Sequence, residues 1–148
     1  MENLKFLKSK EIKQILKLLD EKWGFASELN YDFLMNPEGD LFIINKDIEK
    51  IEFENLKINN LGMYFGEYKN NDIRPSIEGS QIIGKEATKG IIELDDEQTR
   101  KYMKGESLDM EKEDSAFLII KNKENFFGSS KIKNKKLLNF FPKTRRIP

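Results

Sequence analysis

The chain has 148 residues and carries 26 Lys and Arg against 26 Asp and Glu, so its formal net charge is zero. It contains no cysteine and no histidine, which excludes disulfides and thiolate metal sites and removes the commonest general base and metal ligand. No apolar run approaches the ~18 residues that cross a bilayer, and the N-terminus lacks the apolar segment of a signal peptide. We therefore expect a soluble cytoplasmic protein that contacts no membrane.

The first predicted element is an amphipathic helix that begins at Ser9, a candidate N-cap, and is ended by Gly24. Its apolar residues recur at helical spacing: Ile12, Ile15, Leu16, Leu19 and Trp23. Its lysines and acids balance, so a helix facing the core is favoured over a membrane-surface helix. Trp23 is predicted to be a core anchor rather than a platform for a nucleobase.

A hairpin is predicted after this helix, with strands at 31–35 and 41–44. The intervening Asn36-Pro37-Glu38-Gly39 has the residue pattern of a type I turn. Residues 46–54 are mixed and charged, and a short helix is expected there. Residues 1–58 are thus predicted to form a small α+β unit, with a boundary at 56–60.

The middle of the chain alternates short strands and short helices. Alternation predicts a strand over 61–66, followed by a turn at 69–72 and an extended segment at 73–75. Ser76 is a candidate cap for a helix that ends at Gly84. After a strand at 91–94, Asp95 and Gln98 have the spacing of a capping box for a helix to about residue 104.

An acidic loop at 106–114 precedes three strands that close the chain, predicted at 116–121, 126–133 and 136–141. We interpret the loop as a solvated connector; the alternative is that it mimics phosphate and screens the basic residues that follow. Residues 121–148 contain nine Lys and Arg against one acid, a net charge of +8. The other 120 residues hold 17 basic and 25 acidic residues, a net charge of −8. This asymmetry predicts a polyanionic partner.

The spacing of the closing segment separates a basic face from an apolar face. Lys131, Lys133 and Lys135 alternate with Ile132, and Leu137 and Phe141 can point towards the core. Unpaired bases stack on aromatic side chains, and Phe127 and Phe140 are the better candidates for this role; the alternative, more common for aromatic residues on strands, is that they too pack in the core. Three other phenylalanines are predicted to be core: Phe117, Phe126 and Phe141.

Small and charged residues flank this face. Gly128 predicts a bulge or a close backbone approach, with the hydroxyls of Ser129 and Ser130 available to phosphate or sugar. Pro142 should end the last strand and place Lys143, Arg145 and Arg146 in solvent as an arm that contacts phosphates. The alternative for the arm is a frayed, charged terminus.

An ordered set of residues runs through the second half of the chain. It comprises Pro75-Ser76, Tyr102-Met103-Lys104-Gly105-Glu106 with Leu108, Phe117-Leu118-Ile119-Ile120, Gly128, Lys131, Asn139, Pro142-Lys143 and Arg146. This set resembles the PUA-like RNA-binding domain at the C-terminus of Sun-type RNA cytosine-5 methyltransferases. The chain departs from that pattern at Ile77, where a histidine is expected, and at Ala116, where a glycine is usual.

The resemblance implies a small mixed β-barrel with short helices that binds structured RNA, here over residues 59–148 of an α+β chain. It implies RNA contacts at Lys131, Asn139, Lys143 and Arg146, with Gly128 allowing close backbone approach. Charge and spacing add Lys133 and Arg145. Catalysis in the Sun-type family depends on a cysteine nucleophile, which this chain lacks.

Three functions follow, in decreasing order of support. The first is a non-catalytic RNA-binding protein for structured rRNA or tRNA, acting in RNA modification or ribosome biogenesis, with no metal and no cofactor. The second is a specificity subunit that acts in trans with a separate RNA-modifying enzyme, which the additional N-terminal unit motivates. The third is an enzyme that uses only Asp, Glu, Lys, Ser and Tyr, for which no carboxylate pair is marked by position.

Overall fold

The structure is a computed structural model that describes residues 3–45 and 62–148. It contains two five-stranded sheets and three α-helices within these residues, which confirms the α+β class. The expected helix at 46–54 and the expected boundary at 56–60 lie outside the described residues.

The first sheet is antiparallel, with its strands in chain order. The strands are β1 (Lys5–Phe6), β2 (Tyr31–Met35), β3 (Asp40–Asn45), β4 (Met63–Lys69) and β5 (Asp72–Pro75). The predicted turn between β2 and β3 is present, because the N–H of Gly39 donates to the carbonyl of Asn36 at 3.1 Å. Since β3 pairs with β4, the sheet takes strands from both sides of residue 58. The division into units 1–58 and 59–148 stays a prediction.

Helix α1 (Ser9–Trp23) buries Ile15, Leu19 and Trp23, as its periodicity predicts, and also Leu18, which the prediction missed. The predicted Ile12 and Leu16 are partly buried. Its N-cap is Lys8 and not Ser9: the Lys8 N–H is held by Glu11 Oε1 at 3.2 Å, so the cap comes from the first turn. Gly24 ends the helix in the left-handed conformation at φ 68°, and its N–H donates to the carbonyl of Asp20 at 2.8 Å.

Helix α2 (Ile77–Gly84) packs against both sheets, with contacts to β4 and to strand β9 (Asn125–Lys133) of the second sheet. Ser76 caps it as predicted, accepting from the Gly79 N–H at 2.9 Å and donating to the Tyr64 carbonyl at 2.6 Å. A Cβ on Gly79 would lie 2.1 Å from the Phe65 carbonyl oxygen. Gly79 therefore weakens helix propensity but permits the close approach of α2 to β4.

The second sheet is mixed, in the order β6-β8-β9-β10-β7, because β6 runs parallel to β8 and the other pairs are antiparallel. The strands are β6 (Ile91–Glu93), β7 (Leu108–Asp109), β8 (Asp114–Asn122), β9 (Asn125–Lys133) and β10 (Lys136–Leu137). Two predictions need correction. The acidic loop contains β7, which covers the outer edge of β10, and the last predicted strand ends at Leu137 rather than residue 141.

Helix α3 (Asp96–Met103) begins with the predicted capping box. The side chain of Asp95 accepts from the Gln98 N–H at 2.7 Å, and Gln98 Oε1 accepts from the Asp95 N–H at 3.0 Å. These reciprocal bonds satisfy two N–H groups that the helix itself leaves unpaired.

The buried residues form two clusters, and the larger one joins the two sheets. Trp23 and Phe65 from the first part of the chain pack in it with Ile119 and Phe126 of the second sheet. Trp23 is fully buried, as expected, and its indole N–H donates to the Phe117 carbonyl at 3.2 Å. The smaller cluster includes Tyr102 and Phe141, and lies under α3 and β10.

Candidate nucleic-acid interface

Strand β9 has the predicted basic face at its C-terminal end. Lys131 is half-buried, Ile132 is buried and Lys133 is exposed, so the two lysines share one face of the strand. The alternation ends there, because Asn134 and Lys135 occupy a turn with φ values of 54° and 57°. Neither Lys131 nor Lys133 has an ion pair with any residue that the structure describes.

Two aromatic rings and two cations meet where the sheets adjoin, one residue from β5 and three from the second half of the chain. We call Arg74, Phe117, Lys131 and Phe140 the aromatic–cation cluster. The Lys131 Nζ lies 4.2 Å from the centroid of the Phe117 ring, and the Arg74 guanidinium carbon lies 5.4 Å from that of Phe140. The ring centroids of Phe117 and Phe140 are 6.4 Å apart. Both cations are within the range of favourable cation–π contacts.

The outward-facing aromatic of this cluster is Phe140, whose side chain is 40% exposed. Phe126 and Phe141 are buried, as the sequence predicts. Phe127, the other candidate for stacking, is half-buried. Phe117 is half-buried beneath Lys131 and is not a full core residue. An exposed phenyl ring beside an arginine is a surface on which an unpaired base can stack.

A cavity of about 210 Å³ adjoins the cluster. It lies between the start of α2, strand β9 and the segment that follows β10, and both sheets contribute to its walls. Its lining includes Tyr64, Arg74, Glu78, Phe127, Phe140 and Arg145. Burial raises the pKa of the Tyr64 phenol to about 12, with the Asp40 carboxylate adding to the shift, so Tyr64 is neutral at physiological pH.

The basic C-terminal segment exposes Lys143 and Arg145, as predicted, but it is held against the protein rather than extended as an arm, and Arg146 is half-buried. After Pro142 the chain forms a 3-10 turn, Lys143–Arg145, and Arg145 Nη1 lies 2.8 Å from Glu78 Oε2 at the cavity. Arg146 Nε donates to the Phe141 carbonyl at 3.3 Å. The N–H of Ile147 donates to the Met103 carbonyl at 3.0 Å, which fixes the end of the chain against α3. Lys143 is exposed.

The side-chain amide of Asn139 forms three hydrogen bonds within the protein. Its amide nitrogen donates to the carbonyls of Tyr102 at 2.8 Å and Glu106 at 2.7 Å, and its oxygen accepts from the Phe141 N–H at 3.0 Å. Both amide hydrogens are thus used in tying the end of α3 to the closing segment. Its role as an RNA contact stays a prediction.

Gly128 and the serines after it also serve the fold. Gly128 is buried with φ 91°, and its N–H donates to Ser80 Oγ at 2.8 Å. Ser129 Oγ donates to the Pro75 carbonyl at 2.8 Å, and Ser130 Oγ to the Leu138 carbonyl. Both hydroxyls are buried, so the expected contacts of Ser129 and Ser130 with phosphate or sugar do not fit their positions.

The acidic loop lies beside the basic turn. Asp109 forms an ion pair with Lys136, and Glu113 Oε1 accepts from the Lys135 N–H at 3.1 Å. The hydrogen bond and charge of Lys136 lower the pKa of the Asp109 carboxyl below its ordinary value. The loop therefore neutralises part of the turn, while Lys131, Lys133 and Lys143 have no such acidic neighbour in an ion pair among the described residues.

The structure thus brings together only part of the predicted residue set. Lys131 belongs to the aromatic–cation cluster and Arg145 lines its cavity, while Lys133 is exposed further along β9 and Arg146 packs near Gly105 and α3. Sequence reasoning missed Arg74 and Tyr64. The signal for Arg74 was its place in β5 between buried Ile73 and Pro75, since strand alternation turns the residue between two buried ones outward.

The parts of the chain that the structure describes contain no group of acidic side chains arranged to hold a metal ion. None of the helices in those parts is long and apolar enough to cross a membrane.

Residues 89–147 match the family described as the methyltransferase RsmF PUA domain. The match confirms the resemblance to the PUA-like domain of Sun-type methyltransferases and includes β6 to β10, α3 and the basic C-terminal segment. Pro75, Ser76 and the whole first sheet lie outside it. No curated protein matches the chain.

Proposed function

We propose that this protein binds structured RNA, either rRNA or tRNA, through the aromatic–cation cluster and the lysines of β9, and that it acts in RNA modification or ribosome biogenesis in the cytoplasm. The main support is the PUA match over residues 89–147, the segment that holds most of the positive charge. A PUA domain from a methyltransferase family indicates RNA binding.

The proposed RNA contacts are of two kinds: lysines that bind phosphates and an aromatic ring that stacks on a base. Lys131 and Lys133 extend from one strand face, and Lys143 is exposed after Pro142. Phosphates attract such cations without regard to base sequence, so these lysines would supply affinity, and Phe140 would add stacking.

A salt titration of RNA binding tests this function. About five phosphate contacts predict a slope near −3.5 in a plot of log affinity against log salt for single-stranded RNA. The triple variant Lys131→Ala, Lys133→Ala, Lys143→Ala should bind all RNA sequences more weakly, with a slope shallower by about 0.7 for each lost contact.

The matched control removes three exposed lysines from α1 by Lys10→Ala, Lys13→Ala and Lys17→Ala. It changes the net charge equally, and we expect it to retain the slope of the wild-type protein. A flat salt dependence of the wild-type protein, or equal losses in both triple variants, would contradict the proposed surface. Sequencing RNA crosslinked to the protein in cells should recover rRNA or tRNA.

We propose that any methyl transfer is done by a separate enzyme, because the nucleophilic cysteine of the Sun-type family has no counterpart in this chain. The first sheet and α1 lie outside the PUA match and offer a surface for such a partner. A pull-down from ribonuclease-treated extract should then retain an RNA-modifying enzyme. Loss of that enzyme after ribonuclease treatment would mean that RNA alone connects the two proteins.

A further inference from the structure

The cavity beside Phe140 has aromatic side chains in its wall, which the exposed lysines of β9 do not provide. Its volume of about 210 Å³ is below the ~300–1,000 Å³ of typical small-molecule sites, so it suits one planar ring system rather than a large ligand. Two aromatic side chains, Phe127 and Phe140, and the neutral phenol of Tyr64 form much of its wall.

Two arginines line this cavity. Arg74 comes from β5, and Arg145 comes from the segment after Pro142. Arg145 has Glu78 as its partner at 2.8 Å, and the closest approach of Arg74 to Glu67 is 3.9 Å. Both pairs are partly exposed, and exposed ion pairs contribute only about 0–1 kcal/mol, so an anionic ligand can compete for the arginines.

Arg74 also connects the cavity to a second depression. Arg74 lines both, and the second one is also lined by Phe117, by the cations Lys69 and Lys131, and by the carboxylates of Glu67 and Asp72. Four cations thus line the two neighbouring depressions: Arg145, Arg74, Lys131 and Lys69. Arg74 and Lys69 belong to the first sheet, and Lys131 belongs to the second. A nucleic-acid backbone requires a row of separated cations of this kind, with an aromatic ring available to its bases.

We propose that the cavity holds one unpaired nucleotide of the bound RNA, with its base against Phe140 and its phosphate between Arg74 and Arg145. The site is therefore composite: Tyr64 and Arg74 come from the first sheet, outside the segment that matches the PUA family. This inference rests on the proposed function and specifies its ligand as RNA with an extruded base, because a paired base is not free to enter a cavity of this size.

The test compares two RNAs with the same stem, one fully paired and one with a single bulged nucleotide. Their affinities are measured by fluorescence anisotropy over a series of salt concentrations, which gives both the preference at each concentration and the salt slope. The wild-type protein should prefer the bulged RNA by roughly tenfold, which corresponds to stacking of one base on an aromatic side chain. Phe140→Ala should abolish this preference and leave the salt slope unchanged, since it removes no charge.

Two further variants separate stacking from general effects. Phe6→Ala removes another exposed phenyl ring, from the opposite edge of the first sheet, and should keep the preference. Arg74→Lys keeps the charge and loses the planar guanidinium, so it should reduce the preference without changing the salt slope.

The outcomes distinguish this inference from the proposed function. Equal binding of both RNAs by the wild-type protein, or a preference that survives Phe140→Ala, would overturn the inference while salt-dependent RNA binding stands. Failure to bind either RNA at any salt concentration would overturn the proposed function and the inference with it.

Discussion

Asn139 uses its whole side-chain amide inside the protein, at a position where the resemblance implies an RNA contact. It joins the end of α3 to the closing segment through the carbonyls of Tyr102 and Glu106. By contrast, Lys133 and Lys143, two of the proposed RNA contacts, are exposed. At the scale of single residues, polarity alone does not separate these two roles.

Asn139→Ala should lower the free energy of unfolding by about 1–3 kcal/mol, because two carbonyls that it now satisfies would lose their donor. Urea denaturation measures the change. Lys143→Ala, four residues away and exposed, should stay within about 0.5 kcal/mol of the wild-type protein. An Asn139→Ala variant with unchanged stability and weaker RNA binding would instead support the direct RNA contact.

The three helices depend on different devices at their N-termini. Helix α1 is capped from its own first turn by Glu11, α2 by the Ser76 hydroxyl, and α3 by the reciprocal bonds of Asp95 and Gln98. Since α3 has only eight residues and buries few side chains, its cap supplies a large share of its stability.

Asp95→Ala should therefore destabilise the protein by about 1 kcal/mol, as loss of a helix N-cap does elsewhere. The matched variant Asp95→Asn keeps an oxygen that accepts from the Gln98 N–H and should lose much less. Thermal denaturation followed by circular dichroism gives both values. Equal destabilisation by the two variants would show that the charge of Asp95, rather than its hydrogen bond, stabilises α3.

At the scale of the whole molecule, the two sheets share one core across the boundary predicted near residue 58. Trp23 packs in that core with Ile119 and Phe126, and its indole bonds to the Phe117 carbonyl. The composite cavity also depends on the packing of the two sheets, because β4 and β5 supply Tyr64 and Arg74 to its wall. The proposed RNA site therefore depends on the first sheet through this packing.

We expect the protein to unfold in one transition, since residues that share a core lose their burial together. Trp23 is the single tryptophan, so its fluorescence reports the first half of the chain and far-ultraviolet circular dichroism reports the whole. The two probes should give coincident urea curves. A Trp23 transition that precedes the circular dichroism transition would instead show that residues 1–58 form an independent unit.

Local patterns in the sequence determined the secondary structure well. The periodicity of α1, the Asn36-Pro37-Glu38-Gly39 turn, the Ser76 cap and the Asp95 capping box all depend on neighbours within a few residues, and the structure contains each. The PUA resemblance and the charge of the last 28 residues are likewise properties of the linear sequence.

Tertiary structure alone decided which of these residues form a site. Arg74 reaches Phe140 across many residues of sequence, and Glu78 pairs with the exposed Arg145. The linear sequence specifies which side chains carry charge, but burial and pairing with distant residues decide which of those charges stay available. For that reason the sequence alone determined a basic, PUA-like C-terminal segment, and the packing of the two sheets decided that its proposed binding site is shared with β4 and β5.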